Sequence, residues 1–379
     1  MSMHRSLLAL CLALSTVLAA CAPAAAPSPT AAPSKPAAEP AKPATEPAKP
    51  AAEAAKPGEA AKPAEAPAAK PPAAAGPLTK VTTGYSNVAV SNLMAHIAKE
   101  AGIFQKNGLD VDLQLISGGA VTVASLLSNQ IQFAHAGGSE ALSAAAAGAD
   151  VAVVGTMEPV YAYVFLAPAS IQTLNDLKGT KVGVATFGGS ADVATRVGLR
   201  KVGIDPEKDL TIIATGSAAN RTAALLSGAI QGGMASPPDS FTLEAQGFHR
   251  LFDLAALKVP SATNSVIVQR SWMNSNKEAT QKYIDSIVEA HVKAMQDKPF
   301  ALSVLKSSLK SDDDVLMKET LDYYLEQVFG PYPESNPDQF ADAIEQLSQK
   351  NDKIKDFDLS KLLDDSFVKS AQARNLAGR

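Results

Sequence analysis

From residue 77 onward short β-branched runs alternate with amphipathic stretches; before that point the pattern is absent. Lys80–Tyr85 reads as a strand that passes through Ser86-Asn87 into a helix with Leu93, Met94, Ile97 and Ala98 on its apolar face, stopped near Gly102. Asp110–Ile116 alternates Val111, Leu113 and Leu115 with Asp110, Asp112 and Gln114, the period of a half-buried strand, then meets Ser117-Gly118-Gly119 and another helix. Phe133–Ala136 leads through Gly137-Gly138-Ser139-Glu140 into an Ala-rich helix, and Lys181–Ala185 leads through Gly188-Gly189-Ser190 into a helix reaching Val202. Strand, loop and helix in repeated succession predict an α/β fold with mainly parallel strands.

Val151–Leu166 holds two strand-like runs around Thr156-Met157-Glu158-Pro159, and a further apolar run, Asn264–Gln269, follows about a hundred residues later. Two separated crossings predict two lobes joined by a two-segment hinge, with residues 77–160 and 262–379 in lobe 1 and residues 161–261 in lobe 2. One continuous sheet is the other arrangement the pattern allows. Beyond Trp272 the chain reads as mostly helical, with Tyr283, Ile287 and Val288 on one face that packs back on the first lobe.

The repeated Gly-Gly-Ser corners have a physical use. Glycine lets the backbone approach a ligand, while free amides at a helix start point outward and suit an oxygen-rich or anionic group. Each corner is also readable as a plain strand-to-helix turn with Ser as N-cap. Neither has the lysine of a P-loop or the spacing of a dinucleotide fingerprint, which disfavours nucleotides.

Residues 1–76 are of another kind. His4 and Arg5 precede a 14-residue apolar run, Leu7–Ala20, shorter than the roughly 20 residues of a membrane-spanning helix, so residues 1–20 read as an export signal. The run ends in Leu18-Ala19-Ala20-Cys21, which resembles the lipobox of bacterial lipoproteins, and that likeness implies lipid on Cys21. An uncleaved anchor or an ordinary signal peptide is the competing reading. Residues 22–76 are almost wholly Ala, Pro, Lys and Glu with 14 of the 25 prolines, and Lys35, Lys42, Lys49 and Lys56 recur every seven residues. Proline in each cycle and the lack of large apolar residues exclude a coiled coil. An extended tether remains, on the order of 170 Å if all 55 residues held polyproline geometry; an adhesive repeat is its alternative.

Charge and cysteine content narrow the chemistry. Residues 1–76 carry 7 of the 34 basic and 5 of the 38 acidic residues, leaving 27 against 33 in the remainder, a net charge of −6 with no basic stripe. Nucleic acid is therefore not an expected partner. With 46% hydrophobic and 5% aromatic residues the chain supports a sizeable aliphatic core. Cys11 and Cys21 are the only cysteines, and the five histidines (His4, His96, His135, His249, His291) include no pair at ligand spacing, so a structural zinc, an iron–sulfur cluster or any other cofactor is not expected.

Four segments carry a resemblance: Ala98-Lys99-Glu100-Ala101-Gly102-Ile103-Phe104 with Asn107-Gly108-Leu109-Asp110-Val111, Leu126–Phe133, Asp176-Leu177-Lys178-Gly179-Thr180-Lys181-Val182-Gly183-Val184, and Ala223 with Leu225-Leu226-Ser227-Gly228. Together they resemble the solute-binding proteins of ABC importers for nitrate, aliphatic sulfonates, the thiamine pyrimidine precursor and riboflavin. The resemblance covers nearly all of residues 77–379. It implies a two-lobed, type II periplasmic-binding-protein-like clamp, lipid-anchored on the outer face of the cytoplasmic membrane, that closes on a small-molecule nutrient and delivers it to an ABC permease and its ATPase.

By the same analogy the ligand meets Tyr85, Ser86, Asn87, Gly119, Gly138 and Ser139 on the first lobe, Phe187, Gly188, Gly189, Ser190, Ser217, Asn220 and Asp239 on the second, and Glu158 and Tyr161 at the hinge. Phe187 and Tyr161 are also readable as core, Asn220 and Asp239 as helix caps, and Arg221 as one half of a surface ion pair. Hydroxyls, amides and aromatic faces with few cations favour a flat neutral compound such as riboflavin, stacked on Tyr85, Tyr161 or Phe187. The pyrimidine precursor follows, and a sulfonate or nitrate remains compatible with helix-start donors. Two rival classes are an enzyme resembling thiamine-precursor synthases and a surface scaffold or adhesin. Catalytic signatures are thin: the S-x-x-K matches at Ser303–Lys306 and Ser307–Lys310 lack companion motifs, and Gly137–Ala141 does not complete a nucleophile elbow.

Overall fold

The structure, a computed structural model, describes residues 77–349 and 351–378. The expected signal, Cys21 and the tether lie outside the described residues.

Ten strands form two five-stranded sheets. The first contains β1 (Thr79–Tyr85), β2 (Leu109–Leu115), β3 (Phe133–Ala136), β4 (Val151–Thr156) and β10 (Ser265–Gln269) in the order β2-β1-β3-β10-β4. The second contains β5 (Val164–Ala167), β6 (Lys181–Val184), β7 (Thr211–Ala214), β8 (Gly232–Ala235) and β9 (His249–Asp253) in the order β7-β6-β8-β5-β9. The two orders correspond position by position. In each sheet one strand runs antiparallel to its neighbours, β10 in the first and β5 in the second. Each is the first strand after a crossing from the other sheet, so each sheet is completed by chain arriving from its neighbour.

Both sheets are covered on both faces, which is why most strands read as continuous apolar runs. In the first sheet Val81, Val111, Phe133 and Val154 pack on helices Leu93–Glu100 and Lys277–Gln296, while Ala134, Val153 and Ile267 pack on the opposite face with Leu126, Leu142 and Phe340. In the second, Phe165, Val182 and Met234 face Ala194, Val197 and Leu254, and Val164, Leu166 and Ala235 face Leu225 and Leu243. The alternation read in β2 holds at Val111, which is buried, while Leu113 is half-buried and Leu115 is 47% exposed because it ends an edge strand. Helix Lys277–Gln296 packs on the first sheet, with Tyr283 stacked on Phe133 at 3.9 Å between ring centroids, and helices Lys298–Leu309 and Asp314–Tyr323 extend the same core outside it.

His135 lies in β3 beneath that stack. Its Nε2 is 2.8 Å from the Tyr283 hydroxyl and, among the described residues, its Nδ1 has no partner; burial holds it neutral, pushing its pKa down to about 3.

Strands β7, β8 and β9 have no clear sequence signature. β8 is Gly232-Gly233-Met234-Ala235, poor in β propensity, yet a Cβ on Gly232 would lie 2.6 Å from the Phe165 ring and one on Gly233 3.3 Å from Arg221 Cδ. The glycines are there because ring and guanidinium stem occupy the space. Gly232→Val is therefore expected to destabilise the protein by about 1–3 kcal/mol through overpacking, read as a lower urea midpoint; an unchanged midpoint would mean that Phe165 moves aside freely.

Candidate functional site

The chain leaves the first sheet at Thr156 and enters the second at Val164, then returns between Asp253 and Ser265. The two crossings pair with each other: Tyr161 N donates to Val259 O at 3.1 Å, Ser261 N donates to Pro159 O at 3.0 Å, and Val160 bridges Pro260. Pairing of the crossings sets Glu158 beside Thr263, whose Oγ1 donates to Glu158 Oε2 at 3.0 Å.

A cavity of about 110 Å3 opens at this point. The loop after β1 supplies Ser86, Asn87, Ala89 and Ser91; the crossings supply Glu158, Ala162, Tyr163, Thr263 and Asn264; the second sheet supplies Ser190 and Ser236. Tyr324 enters from a π-helical turn, Tyr324–Val328, at the end of helix Asp314–Tyr323. Such turns are frequent at functional sites. Two larger hollows, about 420 and 430 Å3, lie where helix Ala341–Ser348 approaches the Phe187-Gly188 loop. They are wider, but the first has its arginines tied up in ion pairs and the second is mainly apolar. Of these three, the small cavity is the one that gathers polar groups from both sheets and both crossings, so we place the candidate site there.

Four of the residues singled out in the sequence line this cavity: Ser86, Asn87, Glu158 and Ser190. Ser139 and Gly188 line the apolar hollow between helices Gly119–Leu127 and Gly138–Ala146, and Phe187, 55% exposed, lines the other. Gly119 and Gly138 open those two helices, where added Cβ atoms would meet Glu140 and Ala262 respectively; Gly189 is the N-cap of helix Ser190–Lys201. Ser217 caps helix Ala218–Leu226 by accepting from Asn220 N at 3.0 Å, and Asp239 begins helix Asp239–Ala245.

The aromatic faces fall differently from expectation. Tyr161 is 4% exposed within the second sheet's core, and Tyr85 packs edge-on against His96 at 5.4 Å. Neither they nor Phe187 line the cavity; Tyr163 and Tyr324 do. Arg221 is no surface ion pair. It is 4% exposed, its stem lies over Gly183 and Gly233, and burial lowers its pKa while Tyr163 and Asp239 act against that shift. Thr263 and Asn264 could have been noticed as a polar pair at the mouth of the predicted strand Asn264–Gln269. Nothing local marks Ser91, Ser236 or Tyr324.

Glu158 dominates the electrostatics. Burial pushes its pKa up to about 7 from the ordinary 4.5, and the Thr263 hydroxyl offsets part of that shift. The Tyr163, Tyr323 and Tyr324 hydroxyls also feel its charge, which helps hold them protonated.

Two pseudo-equivalent sheets joined by a double crossing, with a polar cavity at the junction, define a two-lobed α/β protein of the periplasmic-binding-protein-like fold. The chain belongs to the NMT1/THI5-like family, whose model matches residues 91–299. YtlA of Bacillus subtilis (strain 168), whose name says binding protein without a ligand, is 24% identical over 265 residues, 68% of this chain and 79% of that one. Among solved structures, the periplasmic aliphatic sulphonate binding protein SsuA of Escherichia coli superposes with a TM-score of 0.62 at 18% identity, covering 79% of this chain and 99% of SsuA. The periplasmic nitrate-binding protein NrtA of Synechocystis PCC 6803 does so with 0.57 at 15%, covering 78% and 89%. Among the described residues no helix is long and apolar enough to cross a membrane.

A group whose folded pKa is raised favours the folded state most where it is protonated. The contribution of Glu158 is thus full below the unfolded value of 4.5 and lost as pH rises through about 7. Glu158→Gln, which cannot ionise, is expected to remove this arm of the pH profile and to exceed the unliganded wild type by at most about 3 kcal/mol above it. Urea melts of both proteins across that window check this; parallel profiles would show that Glu158 does not carry the slope.

Proposed function

We propose that this chain is the extracytoplasmic solute-binding component of an ABC-type importer, capturing a small nutrient between its lobes and passing it to a permease driven by an ATPase. The observation that carries this reading is the cavity lined from both sheets and both crossings. A solute held there touches both lobes, so it favours the closed arrangement by the difference in its contacts with the open and closed forms. Membership of the family and likeness in fold to sulfonate- and nitrate-binding proteins support the same class.

For the ligand we favour a single-ring, hydrogen-bonding compound, nearer to the thiamine pyrimidine precursor than to riboflavin. The cavity, about 110 Å3, is small beside the neighbouring hollows of about 420 and 430 Å3, and a three-ring flavin requires the lobes to part. Sulfonate or nitrate is the second reading, favoured by the fold likeness and by the buried Arg221 cation behind Tyr163. Against it stands the Glu158 carboxyl, the charged group on the cavity wall itself.

A true ligand at a hundred times its Kd is expected to stabilise the fold by about 2.7 kcal/mol, a rise in Tm easily followed in a thermal melt with pyrimidines, riboflavin, sulfonates and nitrate. A protein whose Tm ignores all of them and that instead retains a macromolecular partner would favour the scaffold reading. We further propose that Cys21 carries the lipid and that residues 22–76 act as the spacer. Cys21→Ser is expected to shift the protein from the membrane fraction to the soluble extracytoplasmic fraction; continued sedimentation with membranes would exclude Cys21 as the anchor.

A further inference from the structure

Phe340 and Ile354 are both buried in the first lobe's core, yet no described residue between them is buried. That stretch contains helix Ala341–Ser348, and its sides are divided between the lobes. Ala343, Ile344 and Leu347 rest, half-buried, on the part of the first lobe's core that contains Leu142. Asp342 and Glu345, three positions apart and so on one side of the helix, meet the second lobe. Glu345 accepts from Arg200 at 2.7 Å. Burial raises the Asp342 pKa, with Glu345 acting in the same sense and Lys201 and Arg200 against it.

Arg200 and Lys201 form the basic last turn of helix Ser190–Lys201, so the acidic side of one helix faces the basic end of the other. Arg196, one turn earlier, pairs within its own lobe, with Asp192 at 2.8 Å and with Glu207. Among the described residues the carboxylate paired with Arg200 is Glu345, across the gap between the lobes. Space is left on both sides of the crossing helix: Leu347 lines each of the two hollows of about 420 and 430 Å3. A segment fixed at its ends, with no buried residue between and open space beside it, belongs to the least firmly held parts of a fold.

We propose that helix Ala341–Ser348 is a strap that holds the two lobes closed. It stays with the first lobe through its apolar side and its two buried anchors, and it clasps the second through the Arg200–Glu345 pair. When the lobes part, that pair breaks and the strap releases the second lobe. With Arg200 36% and Glu345 55% exposed at their side chains, such a pair shifts an equilibrium by a factor of about 1.5 to 5. That is too little to hold a core together, but enough to tilt a balance between open and closed lobes. The inference rests on lobes that open and close, as the solute-binding reading does, and adds a contact that sets how often they open.

The test is hydrogen–deuterium exchange of the full chain without added solute, read by mass spectrometry. Three regions report: the strap itself, the loops that carry Ser86 and Ser190 to the cavity, and helix Lys277–Gln296 in the first lobe's core as the reference. Glu345→Gln and Arg200→Gln are each expected to speed exchange in the strap and in both loops by about 1.5- to 5-fold, with the reference helix unchanged. Salt at about 1 M, which shortens the Debye length to about 3 Å, is expected to do the same to the wild type. The double variant is expected to match either single one, because each already removes the pair. Faster exchange confined to the strap would mean local fraying without opening of the lobes, and would overturn the inference. Unchanged rates, effects that multiply in the double variant, or faster exchange in the reference helix would overturn it as well. Each of these outcomes leaves the solute-binding reading standing, since that reading is decided by the ligand melts.

Discussion

The pairing of the two crossing segments is the constraint on which the rest of this structure depends. A single linker between two sheets would let them twist about any axis, whereas two segments held by Tyr161 to Val259 and Ser261 to Pro159 hydrogen bonds restrict the motion to a hinge. The crossings are also tied in at both ends, because β5 and β10 each complete the sheet they enter. A rotation at the hinge would therefore carry a whole lobe, and the groups on the crossings are held by backbone pairing.

That arrangement explains how the molecule tolerates a buried carboxyl without a cation on it. Glu158 sits where its backbone is most firmly fixed, and the Ser261–Thr263 relay supplies one directed hydrogen bond to it. Its burial costs stability as the pH rises, and the unpartnered oxygen of Asn264 adds a second local cost. A core built for stability alone would satisfy or remove these groups.

Helix Ala341–Ser348 adds a second link between the lobes. It packs near helix Gly138–Ala146 of the first lobe, and its Glu345 pairs with Arg200 of the second at 2.7 Å. Tyr323 makes a comparable connection, donating to Asp253 at 3.0 Å at the end of β9. The C-terminal helices therefore do more than cover the first sheet, because they also reach the second lobe on either side of the cavity and bring Tyr324 to its wall.

Much of the fold was legible along the chain because its causes are local or periodic. Sheets buried on both faces demand short apolar runs, many of them β-branched, so β1, β4, β5, β6 and β10 stand out, and the glycine corners mark where strands such as β3 turn into helices. β8 was hidden because Gly232 and Gly233 answer to Phe165 and Arg221, residues remote in sequence. Of the site, Ser86, Asn87, Glu158 and Ser190 were visible, since strand ends and a crossing can be located from pattern alone. The orientation of Tyr161 into the core, the burial of Arg221 and the arrival of Tyr324 were not. Thr263 meets Glu158 across 105 positions and Asn264 meets Asn92 across 172. The sequence by itself determined the class of fold and the presence of two crossings, because hydrophobic period and glycine placement act over a few residues. Only the tertiary structure decided which polar groups face one another at the hinge, because that depends on how two separately formed sheets exchange strands and pack.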